Sequence, residues 1–453
     1  MALWRWFRGL PGILQGILGI LGVFVLLSLD WRPSVVRTVP ALLDEGHATG
    51  ALSAGAARIS IDPPFPTPIG GFNARGNHPF EGILTPLGAR ALVLQVEGKR
   101  VGLVSVELCV LPAVLRRKVL AAVADLHLDE VFLGATHTHS GLGGYWDNRI
   151  AEWIGLASYN PRIEEFLVHQ LADVLRQASS GMRPARLAVG SIDASNYAYN
   201  RDDEHGAVDT LLKGARVIAL DGTPIANVVL YAVHPTIIQM GDMHLSGDWP
   251  GSMMASLEAE GGPPSLFFQG AVGDITWGKR LGDMSRQERA VRFGQAVAGD
   301  ARGAIAAGGQ GEAEISLDWA RAEVGLPKCD LSGVVPKPLD RFVSNLFCWV
   351  AGERTTEVSS LRAGQLELAS VPGEVVAGLG IAWRKALDGA FVTSLMDDYI
   401  GYVEAPARVE AGQGEAKHSY FGSALAPVLF EGLRVTHTAA RREPPPIIAA
   451  PKP

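Results

Sequence analysis

The chain has 453 residues, 47% of them hydrophobic and 19% charged, with 40 Lys and Arg against 47 Asp and Glu for a net charge of −7. There is no basic footprint for nucleic acid, and three cysteines cannot make a four-thiolate zinc site. No repeat of about 20–50 residues is visible, which argues against solenoids and propellers and leaves a large globular fold.

In chain order, the first expected element is a membrane segment. Arg5 and Arg8 precede an apolar run from Gly12 to Leu29, and Trp4, Trp6 and Trp31 flank it as interfacial aromatics do. Ser28-Leu29-Asp30-Trp31-Arg32 offers no small-residue cleavage site, so an uncleaved anchor over residues 1–30 is expected, with a cleaved signal peptide as the alternative. The rest of the chain would then lie on the periplasmic or extracellular side, and residues 31–54 read as a tether. Arg90–Val96 and Arg100–Ser105 flank Glu97-Gly98-Lys99 as a hairpin. Val114–Leu126 has helical spacing, Val131–Ala135 is an apolar strand and Ile163–Gln177 is helical again. Asp221-Gly222 turns the chain into the strand Ile225–Val233, and a long helix covers Ser285–Ala307. A strand at Leu366–Val371 precedes a helix at Val375–Ala386, and residues 439–453 read as a Pro-rich disordered tail. Hairpins interleaved with strand–helix units predict an α/β fold with mixed β-sheets layered with α-helices.

Three strand ends deliver metal-competent side chains. Val131–Ala135 leads into Thr136-His137-Thr138-His139-Ser140-Gly141, where two imidazoles at i and i+2 on a strand end are expected to point to the same face. Ile225–Val233 delivers His234-Pro235, and Leu366–Val371 ends in Pro372-Gly373-Glu374. A carboxylate before a helix is also favoured by the helix dipole alone, but three such ends point to one shared metal site.

Several segments together resemble the catalytic region of the neutral ceramidase family, zinc-dependent amidases that split ceramide into sphingosine and a fatty acid. They are Gly134-Ala135-Thr136-His137-Thr138-His139-Ser140-Gly141, Ala89-Arg90-Ala91, Asn200-Arg201, Ala232-Val233-His234-Pro235-Thr236, Ser246-Gly247-Asp248, Gly273-Asp274-Ile275-Thr276, Pro372-Gly373-Glu374 and Tyr399-Ile400-Gly401-Tyr402-Val403. They occur in the family's order and span residues 55–435, within an expected catalytic domain at 55–438. The resemblance implies His137, His234, Glu374 and Tyr402 as Zn2+ ligands, with Tyr399 a competitor for the last place. It implies His139 as a catalytic group beside the metal, and a lipid-like amide substrate cleaved by metal-activated water. Asn200, Arg201 and Asp248 become candidates for substrate binding, each with a bland alternative in turn chemistry, surface pairing or helix capping.

Two departures matter. Thr276 stands where the family has a serine, followed by Trp277-Gly278, and the chain ends soon after the catalytic region, where family members usually carry an immunoglobulin-like domain. Thr276 keeps a hydroxyl but adds a methyl, so hydrolysis is better supported than ceramide as the substrate. The alternatives are a zinc amidase or esterase on another acylated molecule, and a non-catalytic membrane-anchored homologue in which Trp277 fills the pocket. Cys109 is expected to be a buried small hydrophobe, while Cys329 and Cys348 could be bonded or free. Glu107 requires a partner if it is buried.

Overall fold

Ala41–Ser60 is a 20-residue strand that serves two long partners in succession and a third, Arg183–Asp193, at Ser53 and Ala54. Its first half pairs antiparallel with Glu314–Gly325 and its second with Gly88–Val96. The structure is a computed structural model that describes residues 11–28, 39–278, 284–336, 339–352 and 355–441. Residues 41–54 are therefore sheet and not a tether. Small residues dominate this strand (Ala48, Gly50, Ala51, Ala54, Gly55, Ala56, Ala57), which lets neighbours pack on both faces; a Cβ at Gly55 would lie 2.2 Å from the Ala178 carbonyl oxygen.

Three wings fan out from that strand. One runs through the predicted hairpin, Gly88–Val96 and Lys99–Val106, to Glu130–Ala135, which lies parallel to its neighbour. A second runs through Arg183–Asp193, Leu211–Ala219 and Pro224–Tyr231 to Ser265–Gln269. The third runs through Glu314–Gly325, Thr355–Ala363 and Leu366–Ser370 to Phe391–Thr393. Each wing thus ends in a parallel pair, the arrangement that buries both faces and favours unbroken apolar runs. Val131, Phe132 and Leu133 are accordingly all buried, with Phe132 facing one apolar cluster and Val131 and Leu133 the other. Each such side chain contributes about 1.5–3 kcal/mol on leaving water. Helices Ala113–Ala122 and Pro161–Ser180 cover the first wing, and Arg286–Ala307, capped by Ser285 on the Glu288 N–H, covers the second.

The N-terminal apolar run does form a helix, Gly12–Ser28, but of only 17 residues. At a rise of about 1.5 Å per residue it reaches about 25 Å, short of the roughly 30 Å hydrocarbon layer. Among the described residues no helix is long and apolar enough to cross a membrane. This overturns the expected single N-terminal transmembrane helix and leaves single-pass anchoring without support. Leu29 to Trp31 and residues 442–453 of the expected tail lie outside the described residues. Cys329 and Cys348 are bonded, with Cα atoms 5.7 Å apart, and Cys109 is free and buried. Buried Glu107 is paired with Arg90, which also holds Glu258.

Candidate metal centre

The strand before the histidine motif stops at Ala135, so strand periodicity does not bring His137 and His139 together. His137 instead adopts φ +72°, a left-handed conformation that costs a non-glycine residue free energy and must be held by its surroundings. Its N–H bonds the Leu108 carbonyl at 2.9 Å, and its Nδ1 lies 2.7 Å from the Cys109 carbonyl. A carbonyl only accepts, so Nδ1 carries the proton and Nε2 presents a lone pair. His234 is fixed the same way, with Nδ1 at 2.8 Å from the Val272 carbonyl and 3.0 Å from that of Ile275.

Both lone pairs aim at one carboxylate oxygen. The two Nε2 atoms are 3.1 Å apart, and Glu374 Oε2 lies 3.2 Å from His137 Nε2 and 3.1 Å from His234 Nε2. Oε2 receives no hydrogen bond in this arrangement, which leaves the point where the three atoms meet open to a proton or a metal ion. Three buried acceptors facing each other repel unless a cation sits among them. The spacing fits one: ligand bonds of about 2.0–2.1 Å in a tetrahedron place ligand atoms about 3.3 Å apart. Burial alone would push the His137 imidazole down, but the Glu374 carboxylate outweighs it and raises it to about 10. The field that draws a proton to this point would draw a metal ion equally. Burial and Arg201 take His234 down to about 4.

Glu374 is aimed by pairing that no local pattern announces. Glu374–Val375 forms a short parallel ladder with Tyr402–Val403, placing Glu374 opposite Tyr402. The helix begins only at Ala377, so the carboxylate serves the imidazoles rather than a helix dipole. Tyr399 donates its hydroxyl to Glu374 Oε1 at 2.8 Å and leaves Oε2 for the centre. Tyr402 is the tyrosine that reaches the cluster, its hydroxyl 3.4 Å from His234 Nε2. Arg201 sits behind it, 3.1 Å from that hydroxyl and 2.7 Å from Glu415, and the Tyr402 ring lies against His418. His139 Nε2 approaches His137 Nε2 at 3.4 Å while its Nδ1 bonds the Gly71 carbonyl at 2.9 Å. It stands outside the mutually close trio His137, His234 and Glu374. Burial, then His137 and His234, hold its imidazole well below the usual range, so His139 is neutral.

The remaining candidates divide. Thr276 directly follows the Ile275 carbonyl that fixes His234, on a short strand paired with Tyr199. Asn200 does not face the centre; its amide holds Asp274 at 2.6 Å, and Asp274 caps the Ala377 N–H at 2.7 Å. Asp248 is fully buried and accepts the Ile238 and Trp249 N–H groups, which fixes the loop beyond His234. Trp277 lies beneath the Arg289 guanidinium, 5.4 Å from its centre, and packs with the Phe293 cluster.

Two positioning residues carry no motif. Gln269 Nε2 bonds the Thr136 carbonyl at 3.1 Å and the Val233 carbonyl at 3.0 Å, tying together the residues just before His137 and His234. A polar residue closing the apolar strand Ser265–Gln269 was the available signal. Arg75, in a Gly- and Asn-rich turn with no such signal, bonds the His139 carbonyl, Ser140 Oγ and the Gln239 carbonyl. Burial takes its guanidinium down to about 10, against the pull of Asp242.

A family model for the neutral/alkaline non-lysosomal ceramidase, N-terminal region, matches residues 67–310, more than half of the chain. The chain belongs to this family. Neutral ceramidase of Drosophila pseudoobscura pseudoobscura is 26% identical over 261 residues, covering 53% of this chain and 37% of that protein. Neutral ceramidase A of Dictyostelium discoideum is 25% identical over 180 residues, covering 35% and 25%. The chain thus spans a quarter to just over a third of these relatives. The crystal structure of neutral ceramidase from Pseudomonas aeruginosa shares the fold with a TM-score of 0.73 at 19% identity, covering 86% of this chain and 74% of that one. A ceramidase complexed with C2 gives a TM-score of 0.72, also at 19% identity.

Proposed function

We propose that this chain is a zinc-dependent amide hydrolase acting on ceramide or a related N-acylated lipid. The observation that carries the reading is the meeting of three buried lone-pair acceptors, His137 Nε2, His234 Nε2 and Glu374 Oε2, at 3.1–3.2 Å with both histidine tautomers fixed by backbone carbonyls. These three residues would hold the metal, with Tyr402 as the fourth ligand. Zinc there supplies Lewis acidity, polarising an amide carbonyl and acidifying water. The name borne by the relatives, neutral ceramidase, supports the same chemistry and substrate class.

The chain's own residues divide the remaining work. His139 is neutral, with a proton on Nδ1 and a free lone pair on Nε2, so Nε2 can accept a proton from water and return it to the leaving amine. Its Gly71 hydrogen bond holds the tautomer that makes this possible. Arg201 places a guanidinium behind the Tyr402 hydroxyl and works against the burial and the Glu374 charge that hold this phenol well above its usual range. The Thr276 hydroxyl, one residue past the carbonyl that fixes His234, serves as a hydrogen-bonding contact for the substrate.

The test is metal content and hydrolysis in one sample. Purified protein should contain one zinc per chain and release fatty acid from an N-acyl amide panel, and chelation should abolish turnover until zinc is restored. Stoichiometric zinc with no hydrolysis of any amide or ester would leave the non-catalytic reading in its place.

A further inference from the structure

The helix Asp340–Ala351 is apolar on two opposite faces. Ser344, Phe347, Cys348 and Ala351 form the inner one. It is held down firmly: Cys348 is bonded to Cys329, Ser344 Oγ accepts the Leu331 N–H at 2.8 Å, and the Phe347 ring lies 5.1 Å from that of Tyr420. Leu339, just before the helix, and Leu346, Trp349 and Val350 form the outer one. All four are exposed, Trp349 by 67%. A surface helix ordinarily turns a polar face to water; here a disulfide fixes the helix with an apolar stripe outward.

Two neighbours extend the stripe. Arg149–Ala151 packs beside the helix, and Trp153, two residues further on, is 68% exposed. Gly12–Ser28 also packs beside it and has no charged residue in its length. Ile13, Ile17, Ile20, Leu21, Val23 and Val25 are exposed there, and at about 100° per residue they cover more than half of the circumference.

What this surface lacks identifies its occupant. A second protein molecule covers one face of a helix and leaves the other in water, so such a helix keeps polar residues on its free side. Gly12–Ser28 has only Gln15 and the terminal Ser28 as polar side chains, so it requires a medium that surrounds it, as lipid does. We propose that Asp340–Ala351, residues 149–153 and Gly12–Ser28 together form a lipid-docking face. Gly12–Ser28 lies within one leaflet and does not cross, and Trp349 and Trp153 take the water–lipid boundary where indoles are favoured. The same elements carry Arg149 and Arg341 against Glu152 and Asp340, so apolar burial and not net charge drives the contact. The face also borders the metal centre. Phe347 and Ala351 share an apolar groove with Ile150, Ile154 and Tyr399, and the Tyr399 hydroxyl holds Glu374. An N-acylated lipid resides in a bilayer, and docking here brings that bilayer to the edge of the site.

The experiment sediments the full chain with vesicles of phosphatidylcholine alone and of equal parts phosphatidylcholine and phosphatidylglycerol. It should bind both, and binding should survive high salt. Leu346→Asp/Trp349→Asp should weaken partition by at least about 10-fold with an unchanged melting temperature, since both side chains are exposed. Lipids brominated in their acyl chains should quench tryptophan emission in the parent and less in Trp349→Phe, which still binds. Turnover of a long-chain N-acyl amide in vesicles should fall with partition in the double variant, while a short-chain, water-soluble amide is cleaved as by the parent. No sedimentation with either vesicle, or partition unchanged in the double variant, would overturn the assignment. So would a stable parent dimer that the double variant dissociates, because a second copy would then be the occupant. Sedimentation and quenching read no turnover, so a failure of the hydrolase reading leaves them to decide the docking face by themselves.

Discussion

Gln269→Met tests whether the centre depends on residues that never touch the metal. Gln269 bonds two buried carbonyls, those of Thr136 and Val233, each one residue before a proposed ligand. Methionine nearly conserves volume and donates nothing, so both acceptors lose their bond. An unpaired buried acceptor costs about 1–3 kcal/mol, giving about 2–6 kcal/mol for the pair. At roughly 2 °C per kcal/mol for a large domain, the melting temperature should fall by about 4–12 °C. The stitch also sets the spacing of the two imidazoles, so zinc affinity should weaken by about 10–100-fold, as when other supporting hydrogen bonds are removed. Gln269→Glu should be worse, since a carboxylate would face two carbonyl oxygens. The assays are thermal unfolding of the metal-free protein and competition for zinc against a chelator of known affinity. A Gln269→Met protein that melts lower but binds zinc like the parent would make the stitch structural only. Parental values for both would refute the reasoning.

Three further outcomes follow from the geometry. Glu374→Gln removes the charge that offsets the cation, so zinc stoichiometry should collapse; the metal-free variant should also melt lower than its parent at neutral pH, because the carboxylate that holds the His137 proton is lost, and an unchanged or higher melting point would argue against that pairing. His139→Ala should lower turnover by about 100-fold or more at full zinc occupancy, and loss of the metal instead would place His139 among the ligands. Thr276→Val should cost about 1–3 kcal/mol of transition-state stabilisation, roughly 5- to 150-fold in rate, whereas complete inactivity with a trapped acyl group on Thr276 in the parent would make its hydroxyl the nucleophile.

The sequence by itself determined what short-range chemistry dictates. Alternating and unbroken apolar runs placed the hairpin at 88–106, the strands before His137, His234 and Glu374, and the helices over 161–180 and 286–307 within a few residues. The order of short motifs determined the family. Periodicity misleads at two places: the apolar run that reads as a membrane span forms a helix of only 17 residues, and a left-handed turn at His137, not strand spacing, aims His137 and His139. Only the tertiary structure decided the centre itself. His137, His234 and Glu374 come from three wings of sheet, and their convergence depends on long-range devices. The Gln269 stitch bonds carbonyls 133 and 36 residues away, and the Glu374–Tyr402 ladder joins segments remote in the chain. Local sequence specifies local dihedrals and burial; which carbonyl fixes a tautomer, and which tyrosine reaches His234, depends on packing between segments that share no sequence neighbourhood.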